Sequence, residues 1–462
     1  NSLLEESALE AATKVDAKIA NGEEIGLLEG IPFGIKDVYM VQGTYTTASS
    51  DLLKKYKSAY TATAIQKLLD AGAIPLVKEN CDSFGHGSSS ENTIFGAVKN
   101  AVDPNLVGGG SSGGSAVNVA KDYTVFSIGG DTGGSIRQPA GYNNIYGLKP
   151  TYGRISRYGI MAYASSTDCV GPLAKSIEDI RIVLNVMSGK DSKDQTTNQS
   201  KSISQESIVN ADDIKTVGYF KNFIENDAID SEIKTAFLTS IAKIKAQGIQ
   251  VKELDFFESE TLVSAYYTLA MAETASNLSR LDGTNYGHRI EGANLKESYS
   301  ITRSENFSEE TKRRIVGGNQ VLSQGFSDDI YLKGLKDLGS FKYNQELKTT
   351  AAYTTDRSVL FDFITSEVFL QNNISTHIKQ NFELINSITV TEFQDISSNS
   401  AAKTNLKSTV LAEQPETTLE LGKPLEFDKS ERFSFSEWLN LTQKKPIDRS
   451  EPAVANAESD RH

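Results

Sequence analysis

Seventeen of the chain's 35 glycines fall between Gly85 and Gly171, in fewer than a fifth of its 462 residues. Glycine concentrates where backbone must approach something closely or take up a positive φ. Chemistry is therefore expected in this stretch. Beyond Gly339 only Gly422 remains, and no proline occurs between Pro172 and Pro415. The chain reads as a turn-dense segment, then a long helix-leaning one, then a polar tail.

Hydrophobic pattern predicts the elements around the glycines. Residues 2–20 read as an amphipathic helix, Ile31–Met40 as a strand, Thr63–Ala71 as a helix closed by Gly72, and Ile74–Val77 as a buried strand. A helix opens at Ser115–Ala120, followed by a buried strand at Tyr123–Ile128. Asp179–Met187 is a helix, Thr216–Tyr219 a strand, and long helices lie near 230–247 and 260–280. Strands alternating with helices predict an α/β fold with helices on the faces of a sheet. The Ser/Gln/Asp-rich stretch Lys190–Asn210 reads as a surface loop or linker.

Composition narrows the function classes. A net charge of −13 makes the chain a poor stand-alone binder of nucleic acid or anionic membrane. Two cysteines, Cys81 and Cys169, exclude a disulfide scaffold and a Cys-rich zinc site, and fit a reducing compartment. The four histidines, His86, His288, His377 and His462, form no metal-ligand pair. No apolar run approaches the ~18–20 residues that span a bilayer. The chain begins at Asn1 rather than Met, so removal of something upstream is expected, either a transit peptide or the boundary of a piece.

Two short runs, GGSSGGS (Gly109–Ser115) and GGDTGGS (Gly129–Ser135), carry the candidate chemistry. A phosphate loop would need a Lys after the glycines, and a dinucleotide fingerprint a strand directly before them. Neither is present. GGSSG formally fits a nucleophile elbow around Ser111, but the preceding Asp103–Pro104–Asn105 is a turn rather than a strand. Ser135, behind a predicted buried strand, is better placed. Thr132, Gly133 and Gly134 before it offer backbone N–H groups around one point, as an oxyanion hole requires. With no histidine partner evident, the base must be another residue. Lys36, in the apolar stretch IPFGIKD, is the candidate, since a lysine withdrawn from water loses its proton more readily. Taken alone, Lys36 reads equally as a strand-end lysine reaching solvent, and either glycine run as a flexible loop.

The long segments GGGSSGGSAVNVA and GGDTGGSIRQPAGYNNIYGLKPTYGRIS resemble the signature of the amidase signature family. The spacings agree: 75 residues from Lys36 to Ser111, then 24 to Ser135. The resemblance implies a mixed central β-sheet flanked by helices and a Ser–cis-Ser–Lys triad. In it Ser135 is the acyl nucleophile, Ser111 relays the proton and Lys36 is the base, with Asp131, Arg137 and Ser112 in support. Within the family, GIPFGIKDVY, LLDAGAIPLVKEN, FGHGSSSENTIFGAVKN, AETASNLSRLDGTNYG and RSENFSEETKRRI are similar to the glutaminase subunits of tRNA-dependent amidotransferases, over roughly residues 5–345.

That similarity implies glutamine as substrate, and ammonia delivered to a B-type subunit, with room for one more small subunit. ATP and Mg²⁺ are expected on that partner, no cofactor or metal in this chain, tRNA reached only through the complex, and no membrane. It also implies that Arg314, in SEETKRRIVGG, meets the substrate carboxylate, with Tyr266 of SAYYTLA lining the same pocket, while Arg313 points elsewhere. GYNNIYGLKPT and STDCVGP depart from the family's usual stretches and suggest an organellar lineage. A mitochondrial matrix is therefore expected, with a bacterial cytoplasm as the alternative. Residues 1–349 are expected to form the glutaminase domain. Residues 350–462 lack the family's Pro- and Gly-rich closing block and are expected to complete the domain or dock a partner. The other readings are a stand-alone amidase and a non-catalytic scaffold subunit.

Overall fold

The computed structural model describes residues 1–197, 214–227, 229–254 and 259–323. The region expected at 350–462, its boundary at 349, most of the linker after Lys190, His377 and His462 lie outside the described residues. The chain runs β1 (Ser2–Leu3), α1 (Glu5–Ala20), β2 (Pro32–Lys36), α2 (Thr63–Asp70), β3 (Ile74–Glu79), α3 (Gly113–Ala120), β4 (Phe126–Asp131), α4 (Arg137–Tyr142), β5 (Tyr146–Gly147), β6 (Cys169–Ala174) and α5 (Ile177–Met187). It continues through β7 (Thr216–Phe220), α6 (Lys221–Glu225), α7 (Ser231–Ala246), β8 (Gln250–Leu254), α8 (Ser259–Asn277), α9 (Leu295–Asn306) and α10 (Glu309–Leu322).

Six of these strands form one mixed sheet in the order β1-β3-β2-β4-β6-β5. At its centre β2 runs parallel to both neighbours, β3 and β4. The outer pairings, β1 with β3, β4 with β6 and β5 with β6, are antiparallel. The two central strands alternate: Phe33, Ile35, Phe126 and Ile128 enter the apolar core on one face, while Gly34, Lys36 and Ser127 lie on the other. Phe33 of β2 stacks on Phe126 of β4 at 5.1 Å. Ile35, Ile128, Ile65, Leu68, Val183 and Met187 complete the packing around them. Each such side chain contributes about 1.5–3 kcal/mol on burial. A separate two-stranded parallel sheet joins β7 and β8, with α6 and α7 in the connection.

The α/β class and mixed sheet are as expected, with boundary differences that have local causes. The strand expected at Tyr123–Ile128 instead spans Phe126–Asp131. Residues before it are spent ending α3, where Asp122 takes φ +59° and Tyr123 N–H donates to Asn118 O. The strand expected through Met40 stops at Lys36, because Asp37 turns inward to pair with buried Lys78 at 2.9 Å. Ser2–Leu3, expected in the first helix, is the edge strand β1. Strands β5, β6 and β8 are additions that the pattern did not predict.

Two close approaches position the pocket. α10 lies against α8 so tightly that a Cβ on Gly318 would stand 1.9 Å from Met271 O. Four residues earlier on each helix, Arg314 lies over the Tyr267 ring at 5.6 Å. Both pairs follow the i, i+4 ridges by which helices pack.

Candidate active site

β2 and β4 are hydrogen-bonded neighbours, so their C-terminal ends deliver Lys36 and the Gly129–Ser135 run to one place. The Lys36 ammonium is 2% exposed and donates to Ser111 Oγ at 2.7 Å and to Gly130 O at 3.4 Å. Burial pushes the Lys36 pKa down, against Cys81, Asp82, Asp131 and Asp168, which act the other way. Ser111 follows a cis peptide bond from Gly110 and stands just before α3.

Ser112 fastens the two glycine runs together. Its backbone N–H donates to Ser135 O at 3.1 Å, its hydroxyl donates to Gly130 O at 3.1 Å, and it accepts from Gly130 N–H at 3.3 Å. Lys36, Ser111, Ser112 and Ser135 are thus brought together. The Ser135 hydroxyl has no hydrogen-bond partner among the described residues, and Ser135 is 9% exposed.

Asp131 shapes the turn that carries Ser135. Its carboxylate accepts from the N–H groups of Gly134, Ile136 and Arg137 at 2.8–3.3 Å, and from the Arg137 guanidinium at 2.9 and 3.0 Å. Burial alone would raise its pKa, but these partners, Arg137 foremost, hold it below the ordinary carboxylate range. One consequence corrects the expected oxyanion hole: the Gly134 N–H is turned to Asp131 instead of to the pocket. The N–H groups of Thr132, Gly133 and Ser135 have no partner among the described residues.

The far wall comes from α8 and α10. Tyr266 lies directly over the turn, its Cζ 2.6 Å from where a Gly133 Cβ would stand. Arg314, 9% exposed, donates through Nε to Glu310 at 2.8 Å and through a terminal nitrogen to the Tyr163 hydroxyl. Its guanidinium also lies over the Tyr163 ring at 5.4 Å. Arg313 is exposed and pairs with Glu310 at the surface. Of these two arginines, it is Arg314 that turns toward Tyr163 and Tyr267.

Sequence reasoning missed the residues that join these walls. Buried Asp168 accepts from Thr132 Oγ1 at 2.6 Å, Tyr163 N–H at 2.9 Å and Ala164 N–H at 3.2 Å. Tyr163 and Asp168 sit in a run of small and polar residues, YASSTD, where nothing but the fold marks them.

Other nucleophile and base readings find no support in the geometry. Burial pushes the thiols of Cys81 and Cys169 up to about 12 and about 11, so neither is a thiolate near neutral pH. His86 is fully buried, contacts Ser83 O and Thr274 Oγ1, and is held neutral by burial and by Arg314. The backbone N–H of His288 binds Leu52 O. Among the described residues no group of three or more His, Cys, Asp or Glu side chains is placed to hold a metal ion. No helix among them is long and apolar enough to cross a membrane.

Residues 1–413 match the model of the amidase family. The chain is 44% identical over 336 residues to the A-type subunit of the glutamyl-tRNA(Gln) amidotransferase of Agathobacter rectalis, covering 72% of this chain and 66% of that protein. Against its namesake from Lachnospira eligens it is 45% identical over 338 residues, covering 72% of this chain and 69% of that protein. The chain thus spans about two thirds of the length of these relatives. Among solved structures, the A-type subunit of the glutamyl-tRNA(Gln) amidotransferase of Thermotoga maritima superposes with a TM-score of 0.58 at 28% identity, covering 79% of this chain and 83% of that one. The peptide amidase of Stenotrophomonas maltophilia gives 0.58 at 25% identity, covering 72% and 69%.

Proposed function

The chain belongs to the amidase family, and from that premise we propose that it is the glutaminase subunit of a tRNA-dependent amidotransferase. The observation that carries the reading is the buried 2.7 Å contact between Lys36 and Ser111, fastened through Ser112 to Ser135. Buried Arg314 supports glutamine over a plain amide, since a fixed guanidinium suits an α-carboxylate.

In this reading Lys36 works as a neutral amine. It takes the Ser111 proton as Ser111 takes that of Ser135, and Ser135 Oγ attacks the glutamine carboxamide. The N–H groups of Thr132, Gly133 and Ser135 are the donors available to the oxyanion, and Asp131 keeps their turn in shape. The C–N bond breaks, and ammonia leaves with the proton returned through Ser111. Water then hydrolyses the γ-glutamyl ester on Ser135 to glutamate, regenerating the serine.

Ammonia set free in bulk water at neutral pH is mostly protonated and no longer nucleophilic. A sheltered route to a B-type subunit follows from that chemistry. ATP, Mg²⁺ and the misacylated tRNA belong to that partner, because this acidic chain carries no phosphate-loop motif. One more small subunit, together with a mitochondrial matrix setting, is part of the same proposal.

The test is co-purification of the full chain, followed by glutaminase assay with and without what co-purifies. A B-type partner and glutamine turnover that rises with it are expected. Brisk hydrolysis of simple amides by the chain alone would favour a stand-alone amidase. A chain that binds the partner yet hydrolyses no amide would favour the scaffold reading.

A further inference from the structure

Arg314 has five N–H donors. Nε–H goes to Glu310 and one terminal N–H to the Tyr163 hydroxyl, which leaves three for a ligand. Glu310 approaches Arg314 from its own helix, one turn away. Tyr163 approaches from a segment distant in sequence.

The tyrosine is itself tightly held. It is 4% exposed, its ring meets the His86 ring edge-on at 4.6 Å, and its N–H donates to Asp168. Tyr266, the side chain that overlies Gly133, packs against the cluster formed by Tyr163, Ala164 and Ala270. Asp168 in turn accepts from Thr132, at the start of the turn that carries Ser135. Tyr163 therefore links the guanidinium to the turn bearing the nucleophile, through its hydroxyl on Arg314 and its backbone N–H on Asp168, with Tyr266 packed beside it.

We propose that Tyr163 is a specificity-determining residue: its hydroxyl aims the Arg314 guanidinium at the substrate α-carboxylate and fixes its distance from the Ser135 turn. The proposal rests on the glutaminase reading above. A guanidinium held on one side only by Glu310 can swing toward that carboxylate, and swinging withdraws it from the pocket. The hydroxyl prevents this while leaving the three remaining donors free. Phenylalanine at 163 would keep the ring packing on His86 and lose only the oxygen.

The test is steady-state glutamine kinetics of the full chain in complex with its co-purified partner, in four forms: parent, Tyr163→Phe, Arg314→Ala and the double variant. Tyr163→Phe should raise KM for glutamine about tenfold or more, as for loss of a hydrogen bond to a charged group, with kcat within about threefold. In the Arg314→Ala background the same change should add less than about twofold, because its effect runs through that arginine. A parent complex without glutaminase activity would overturn the functional reading itself. An active parent with KM unmoved by Tyr163→Phe would overturn this proposal alone. So would a fall confined to kcat, or a KM rise of equal size in both backgrounds.

Discussion

Buried Lys36 reaches Ser111 across only 2.7 Å, and its protonation state governs what the site can do. Because burial lowers its pKa, a larger fraction is neutral near pH 7–8 than for a lysine in water. Activity should therefore rise with pH through the Lys36 pKa and fall on the acid side as the amine protonates. A pH–kcat profile under conditions where chemistry limits the rate checks this, and a flat profile down to pH 5 would count against a lysine base. Ser135→Ala and Lys36→Ala should each lower kcat by at least about 10³-fold, and the double variant little further, since residues acting as a unit are not additive. The two arginines should separate as their burial does. Arg314→Ala should raise KM for glutamine by the equivalent of roughly 2–5 kcal/mol, as when one partner of a desolvated charge pair is removed. Arg313, exposed and paired at the surface with Glu310, should tolerate alanine with little change. Equal KM shifts for the two would contradict the placement of Arg314 in the pocket.

Elements, rather than single residues, bring Arg314 to that place. α10 carries it into the pocket because Gly318, one turn on, lets the helix touch α8 at Met271. Gly318→Val should push the helices apart, costing about 1–3 kcal/mol as overpacking does. It should raise KM for glutamine without disabling the distant triad, and urea unfolding alongside kinetics measures both. Much at this scale was legible in the chain. The 3.6-residue pattern marked α2, α5, α7 and α8, and the apolar run at Ile74 marked β3. The strand β6 was not legible, although all six of its residues are buried. Its sequence CVGPLA contains a glycine and a proline, which read as a break. The site divided the same way. That Lys36, Ser111 and Ser135 come together was legible through the length of the signature around them. Tyr163 and Asp168 were not, because their roles arise only when β6, α8 and α10 converge. The Gly134 N–H was misplaced because chain order alone cannot reveal that Asp131 claims it.

Across the molecule, buried polar groups make the fold's stability depend on pH. Glu79 lies at the end of β3, fully buried, accepting from Ser115, Ser127 and Asn118 at 2.5–2.6 Å. Burial pushes its pKa up to about 7, from 4.5 in the unfolded chain. The folded state therefore binds more protons than the unfolded one between these values, so this group's contribution is fully present below about pH 4.5 and is lost as pH rises to about 7. Glu79→Gln should remove that slope. Relative to parent, the variant should gain up to about 3 kcal/mol at pH 8 and little at pH 5, at about 1.4 kcal/mol per pKa unit. Urea unfolding at the two pH values reads this out, and an equal change at both would contradict it. The central claim remains covalent: glutamine is opened by Ser135. The direct measurement is peptide mapping by mass spectrometry of the partner-bound chain, acid-quenched during glutamine turnover. The account predicts one γ-glutamyl group on the tryptic peptide 122–137, which holds Ser135, and none in Ser135→Ala. A glutamyl group on the peptide bearing Ser111 or on either cysteine, or undiminished turnover by Ser135→Ala, would contradict it.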